Sequence, residues 1–139
     1  MAVEELADTI AGFALFADLT TPQREQLVDV FTEQWFAEGE KVMRQGLSGT
    51  ALYIVLDGAA AIRIDGVDRA TLRAGDYFGE ISTLLGEPPT ADIVAIGALR
   101  CLMLPSAQVE TFLKGNPTVM FRLLQGEARK VRTTTKWLS

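Results

Sequence analysis

The residues best suited to chemistry lie in one stretch, GDYFGEISTLLGEPPTADIV, residues 75–94. Ile81, Leu84 and Leu85 have helical spacing, yet Gly79 and Gly86 bracket a segment too short for two turns. The first N–H groups of a helix have no acceptor within it, so such a turn favours an anion. The chemistry this implies is binding of a small anionic molecule. Catalysis finds little support. The chain has no histidine and one cysteine, which leaves no Ser-His or Cys-His pair and no structural zinc site. Cys101 has no base beside it and reads as a small buried hydrophobe. We therefore expect no enzyme, no metal and no cofactor.

The elements that must position this stretch fall into three zones. Residues 3–34 read as helical: Val3, Leu6, Ala7, Ile10 and Ala14 recur at three- and four-residue spacing. A second helix is expected from Thr21 as N-cap, with Pro22 at its first position and Leu27, Val30 and Phe31 on one face. Leu15, Phe16 and Leu19 fall between the two and should plug the core. From about residue 35 to 106 the runs WFAEG, KVMRQG, ALYIVLDG, AAIRIDG, DRATLRAG, DIVAIG and LRCLMLP mostly end at Gly or Pro, as in a sandwich or barrel. Glycines 39, 46, 49, 58, 66 and 75 suit turns, and Asp65-Gly66 is the best two-residue hairpin signal. From about 106 helix returns. Ser106 is expected to cap AQVETFLKG, and a final helix should run from about Thr118 into the early 130s, fraying at Thr133, Thr134 and Thr135.

The 139 residues suffice for one domain with a hydrophobic core. The net charge is −5, unfavourable for non-specific binding to nucleic acid or anionic membrane. Residues 118–139 nevertheless carry Arg122, Arg129, Lys130, Arg132 and Lys136 against Glu127 alone. The plain reading of that cluster is a solvated helix face. No apolar run is long enough to span a membrane, and the start lacks a basic n-region, so the expected location is cytoplasmic.

Phe78-Gly79-Glu80-Ile81-Ser82-Thr83-Leu84-Leu85-Gly86, followed by Glu87-Pro88-Pro89-Thr90-Ala91-Asp92-Ile93, resembles the phosphate-binding cassette of cyclic-nucleotide-binding domains. Leu15-Phe16, Phe36 to Val42, Gly46, Leu52 to Val55, Gly58, Gly75-Asp76 and Phe112 to Pro117 look like further landmarks of that family. The resemblance covers about residues 10–130. It implies an α+β fold: an antiparallel, jelly-roll-like β-roll of about eight strands, a short cassette helix, and helices at both ends. The chain is read as one domain over 1–139, with N-terminal helices in 1–34, the roll in 35–106, the cassette in 78–93 and C-terminal helices in 107–138. The resemblance also implies that Glu80 accepts the ribose 2′-hydroxyl. The Gly79–Ser82 turn, with Thr90 and Ala91, would hold the phosphate, and the last helix, with Met120, Leu123, Leu124 and Val131, would close as a lid.

Three positions depart from the family pattern. Pro89 stands where the family has its phosphate-pairing arginine, and proline has neither charge nor N–H. Asp92 replaces a threonine and adds a like charge beside the expected phosphate. Thr83 replaces a leucine. Arg63, Arg73 and Arg100 lie on or beside predicted strands without motif support as substitutes. Two functions follow as expectations. One is a regulatory sensor with weak or lost cAMP or cGMP binding, its ligand a cyclic nucleotide or other small anion. The other is a degenerate interaction module, a homodimer or protein-binding domain joined through Met120, Leu124, Val131 and Leu138 near heptad spacing. Glu80 as a purely structural helix cap stays open beside both. Trp35 and Phe36 read as packing residues.

Overall fold

A computed structural model describes residues 2–47 and 50–138, with side chains described through Thr133. Gly49 and the side chains of Thr134, Thr135, Lys136 and Leu138 lie outside the described residues. Helix α1 spans Val3–Ile10, a 3-10 turn Ala14–Phe16, and α2 Thr21–Val28. Strands β1 (Thr32–Phe36), β2 (Lys41–Met43), β3 (Ala51–Ile64), β4 (Val67–Arg73) and β5 (Tyr77–Phe78) follow. Helix α3 (Glu80–Leu85) precedes β6 (Asp92–Pro105), and α4 (Ser106–Gly115) and α5 (Pro117–Leu138) close the chain.

The fold is an antiparallel roll with helices at both ends, as expected, but the roll has six strands rather than about eight. The difference lies at two glycines. Gly58 and Gly97 read as turns, yet they sit inside the 14-residue strands β3 and β6 at φ 89° and 66°. Around Gly58 the β3–β6 register slips, between Val55 and Asp57 and again between Asp57 and Ala59. This is a bulge that bends the ladder without ending it. The bend lets each long strand serve two neighbours. β6 pairs β1 through Leu99–Met103 and β2 near Ile93 and Val94. β3 pairs β5 at Tyr53 and Ile54 and β4 from Ala59 to Ile64. The β3–β4 hairpin turns at Asp65-Gly66 with φ 52° and 79°, the type I′ signature read from sequence.

Period-two alternation splits the core in two. Leu52, Ile54 and Leu56 of β3 join Leu102 and Leu104 of β6 against the helices. Val55, Ala60, Leu99 and Cys101 fill the inside of the roll with Phe78 and Ile93. Leu15 and Phe16 plug the helical side, as expected. Cys101 is fully buried, and burial pushes its thiol up to about 12.

Four local features differ from expectation. The α2 cap is Thr20, not Thr21. Its Oγ accepts from the Gln23 N–H, and Gln23 Oε1 accepts from the Thr20 N–H at 2.8 Å, a capping box. The helix stops at Val28, because Thr32–Phe36 pairs with β6 and that pairing overrides the local helical pattern. Ser106 does not cap α4; Pro105 holds that position and no side-chain bond closes it. The final helix runs past the threonines, its backbone helical to Leu138. No helix among the described residues is long and apolar enough to cross a membrane.

A Cβ built on Gly58 would lie 2.3 Å from the Ala98 carbonyl oxygen. Gly58→Ala meets that contact and a positive φ together, and should cost about 2 kcal/mol or more. Urea denaturation measures it; an unchanged midpoint would show that the bend tolerates a side chain.

Candidate functional site

Strand β5, helix α3 and the loop into β6 surround a cavity of about 580 Å³ whose outer wall is α5. Each piece is placed by backbone chemistry. Gly79 takes φ 83° as the N-cap of α3, and a Cβ there would sit 2.0 Å from the Ala51 carbonyl oxygen. Only glycine fits this close approach to β3. Gly86 ends the helix in the same left-handed conformation. The single Thr83 hydroxyl proton is shared between the Gly79 and Glu80 carbonyls, 3.0 and 2.9 Å away, so this replacement for leucine braces the short helix. Phe78 stacks on Tyr53 with centroids 4.9 Å apart, fixing the strand that leads into the turn.

Glu80 is 5% exposed and reaches into the cavity. Its Oε1 accepts from Lys130 Nζ of α5 at 3.0 Å, while Oε2 is buried and accepts no hydrogen bond among the described residues. Lys130 also donates to Glu127 at 3.1 Å and lies 4.9 Å from the centre of the Tyr77 ring. Burial is the larger influence on Glu80 and lifts its carboxyl above the usual range; Lys130 and the residue's own N–H pull the other way without offsetting it. The magnitudes agree with this sense. Desolvating a carboxylate costs several kcal/mol, and a half-exposed lysine returns only part of that. Lys130 is itself lowered by burial, but Glu80 and Glu127 outweigh this and hold its pKa raised.

The seating of α5 depends on a second glycine. A Cβ at Gly126 would lie 2.0 Å from the Tyr77 hydroxyl, which donates to the Leu123 carbonyl at 3.4 Å. Burial pushes that hydroxyl up to about 12, with Lys130 opposing. Lower on the helix, Val119 and Leu123 are buried, and Arg122 donates from Nε to Asp18 at 2.7 Å.

Most of the residues read from sequence come together here. Phe78, Gly79, Glu80, Ile81, Ser82, Pro89, Thr90 and Ala91 all line the cavity. Ser82 and Pro89 are buried, whereas Ile81 and Thr90 are exposed. The Pro89 carbonyl accepts from the Gly46 N–H at 2.8 Å, which fixes the loop to the β2–β3 connection. Asp92 is the exception. It does not line the cavity: its Oδ1 accepts from the Gln45 N–H at 2.7 Å and its Oδ2 pairs with Lys41 at 3.1 Å. The Gln45 N–H and then Lys41 hold its carboxyl below the usual range. The expected like charge beside a phosphate is therefore spent on the strand junction. None of the three arginines considered as substitutes lines the cavity: Arg63 pairs with Asp68 at 2.7 Å, Arg73 is exposed, and Arg100 lies opposite Trp35 on β6. Sequence reading missed Lys130, Arg129 and Gly126 as cavity residues, because the basic stretch of the last helix read as a solvated face.

The family model described as the cyclic nucleotide-binding domain matches residues 33–116. The chain belongs to this family. The chain is 31% identical over 130 residues to the cGMP-dependent protein kinase of Plasmodium berghei (strain Anka); the match covers 94% of this chain and 15% of the kinase. Among solved structures, the catabolite activator protein of Thermus thermophilus superposes with a TM-score of 0.82 at 28% identity, over 90% of this chain and 61% of that one. A regulatory subunit of a cAMP-independent protein kinase A from Trypanosoma brucei superposes with a TM-score of 0.76 at 25% identity, over 90% of this chain and 47% of that one. That structure is a triply substituted form, one change being threonine to arginine, bound to cAMP in its A site.

The Glu80 environment gives this domain a pH signature. A raised folded-state pKa means that the folded protein holds the proton more tightly than the unfolded chain. Ionisation then subtracts stability as pH climbs from about 4.3 through the folded pKa. Glu80→Gln removes that cost, so its melting temperature should gain on the parent's as pH rises above about 4.3 in circular-dichroism melts. A variant that loses ground over that range would mean that the Lys130 pair outweighs burial.

Proposed function

We propose that this domain is a regulatory module whose pocket takes cAMP or cGMP weakly, and that the weakness lies in Pro89. One observation carries the reading. Pro89 is buried in the wall of the same cavity as Glu80 and the Gly79–Ser82 turn, so the cassette is assembled around a position with no cation. The cavity volume suits a ligand of nucleotide size, and Glu80 retains an acceptor oxygen for a ribose hydroxyl. Loss of one partner of a buried charge pair costs roughly 2–5 kcal/mol, about 30- to several-thousand-fold in affinity. The Trypanosoma brucei regulatory subunit supports the reading, since a form of a cAMP-independent subunit that gained an arginine is bound to cAMP.

We expect dissociation constants well above micromolar for both nucleotides by isothermal titration; sub-micromolar binding would refute the reading. Pro89→Arg should tighten binding about tenfold. A charge-assisted pair returns roughly 1.5–3 kcal/mol, less up to about 1 kcal/mol for the freed loop. Asp92 is engaged with Lys41 and Gln45 and should not compete, so adding Asp92→Thr should cost stability without improving affinity. If parent and Pro89→Arg both stay folded and silent, the cyclic-nucleotide reading falls and self-association takes its place.

A second reading, self-association through α5, has its own observation. Phe121 and Leu124 are 58% and 61% exposed, and Met120 and Val131 are exposed with them. Ala128 continues the same stripe at heptad spacing, and a second copy would cover it. We expect a species of twice the 15.1 kDa chain mass by light scattering at tens of micromolar, with Leu124→Glu shifting it to monomer. A clean monomer in the parent rules this out.

A further inference from the structure

We propose that Arg129 is the phosphate-pairing residue of this domain: the cation absent from the cassette loop is supplied by α5. The inference rests on the cyclic-nucleotide reading above and assigns the residue that gives the pocket its remaining affinity. Three cations line the cavity, Arg122, Arg129 and Lys130, all from α5. Arg122 is committed to Asp18 and Gln125. Lys130 is committed to Glu80 and Glu127, and the charge of those two carboxylates already exceeds its own. The Arg129 guanidinium makes no hydrogen bond or ion pair among the described residues, and it is exposed at the rim of the same cavity that Pro89 walls. The acids facing the cavity do not claim it. Asp76 accepts from the Arg73 N–H at 2.8 Å, and Glu80 is held by Lys130.

A second feature points to a ligand that also carries a donor. Glu80 Oε2 is buried without a hydrogen bond among the described residues, and a buried acceptor left in this state asks for a donor from whatever fills the space. A ligand with a phosphate at one pole and a hydroxyl at the other satisfies Arg129 and Glu80 together. The guanidinium also suits phosphate through paired N–H groups, which lysine does not offer.

The test is a double-mutant cycle between positions 89 and 129, with cAMP and cGMP titrated calorimetrically into parent, Arg129→Gln, Pro89→Arg and the double variant. Glutamine keeps helix propensity at this exposed site, and circular dichroism confirms folding. We expect Arg129→Gln to weaken binding at least tenfold in the parent, and Arg129→Lys to recover part of the loss. In the Pro89→Arg background the same change should cost less, because the new cation shares the phosphate. Two outcomes overturn the proposal while leaving the cyclic-nucleotide reading intact: affinity within twofold of the parent's, or an equal loss in both backgrounds. Binding in Pro89→Arg alone, with the parent silent at millimolar nucleotide, also overturns it. Silence in both parent and Pro89→Arg brings down the cyclic-nucleotide reading itself.

Discussion

Everything in this domain is attached to the β3–β6 ladder, and the ladder works because it bends. Two flat 14-residue strands would present one long face to each side. The bulge at Gly58, pressed against the Ala98 carbonyl, turns the pair so that one stretch faces the helices and the other curls into the roll. The cassette is attached to the same ladder from its other end, where Gly79 meets the Ala51 carbonyl. Pocket and core are thus referenced to one strand, and the helix that walls the pocket also packs its lower turns into the helical core.

Within that frame the pocket divides its charges between two elements. The carboxylate is on the cassette and is buried; the cations are on α5 and partly exposed. Had Pro89 been an arginine, the cassette would carry both signs and be close to neutral by itself. As built, electrostatic completion of the site needs the helix. Asp92 shows the reverse arrangement a few residues on: a carboxylate turned away from the cavity, satisfied locally by Lys41 and a backbone N–H, that ties the start of β6 to the first residue of β2 and to the turn after it.

What the sequence made legible was local. The glycines at 79 and 86 bounded the short helix, Asp65-Gly66 marked its hairpin, and Phe78, Glu80 and Ser82 fell where the cassette pattern put them. What it hid was either override or distance. Gly58 and Gly97 carry the same chemical signal as turn glycines, and only the partner strand decides that they are bulges. Thr32–Phe36 continues a helical pattern until β6 supplies a ladder. Lys130 and Glu80 are 50 residues apart, and no periodicity within a single helix reveals which side of it will meet a carboxylate.

The notch at Gly126 has a consequence for how α5 can behave. A glycine inside a helix costs about 1 kcal/mol relative to alanine, and here the missing side chain is where the Tyr77 oxygen sits. An α-helix advances 1.5 Å and turns 100° per residue, so sliding or rotating α5 by one position would carry Gln125 or Glu127 over that oxygen. Neither leaves room for it. While it is seated, α5 is indexed against the pocket at one register, and gradual creep along or around its axis is sterically closed. The helix has two mechanical options, to lie in the notch or to lift out of it. The geometry is that of a detent rather than a hinge.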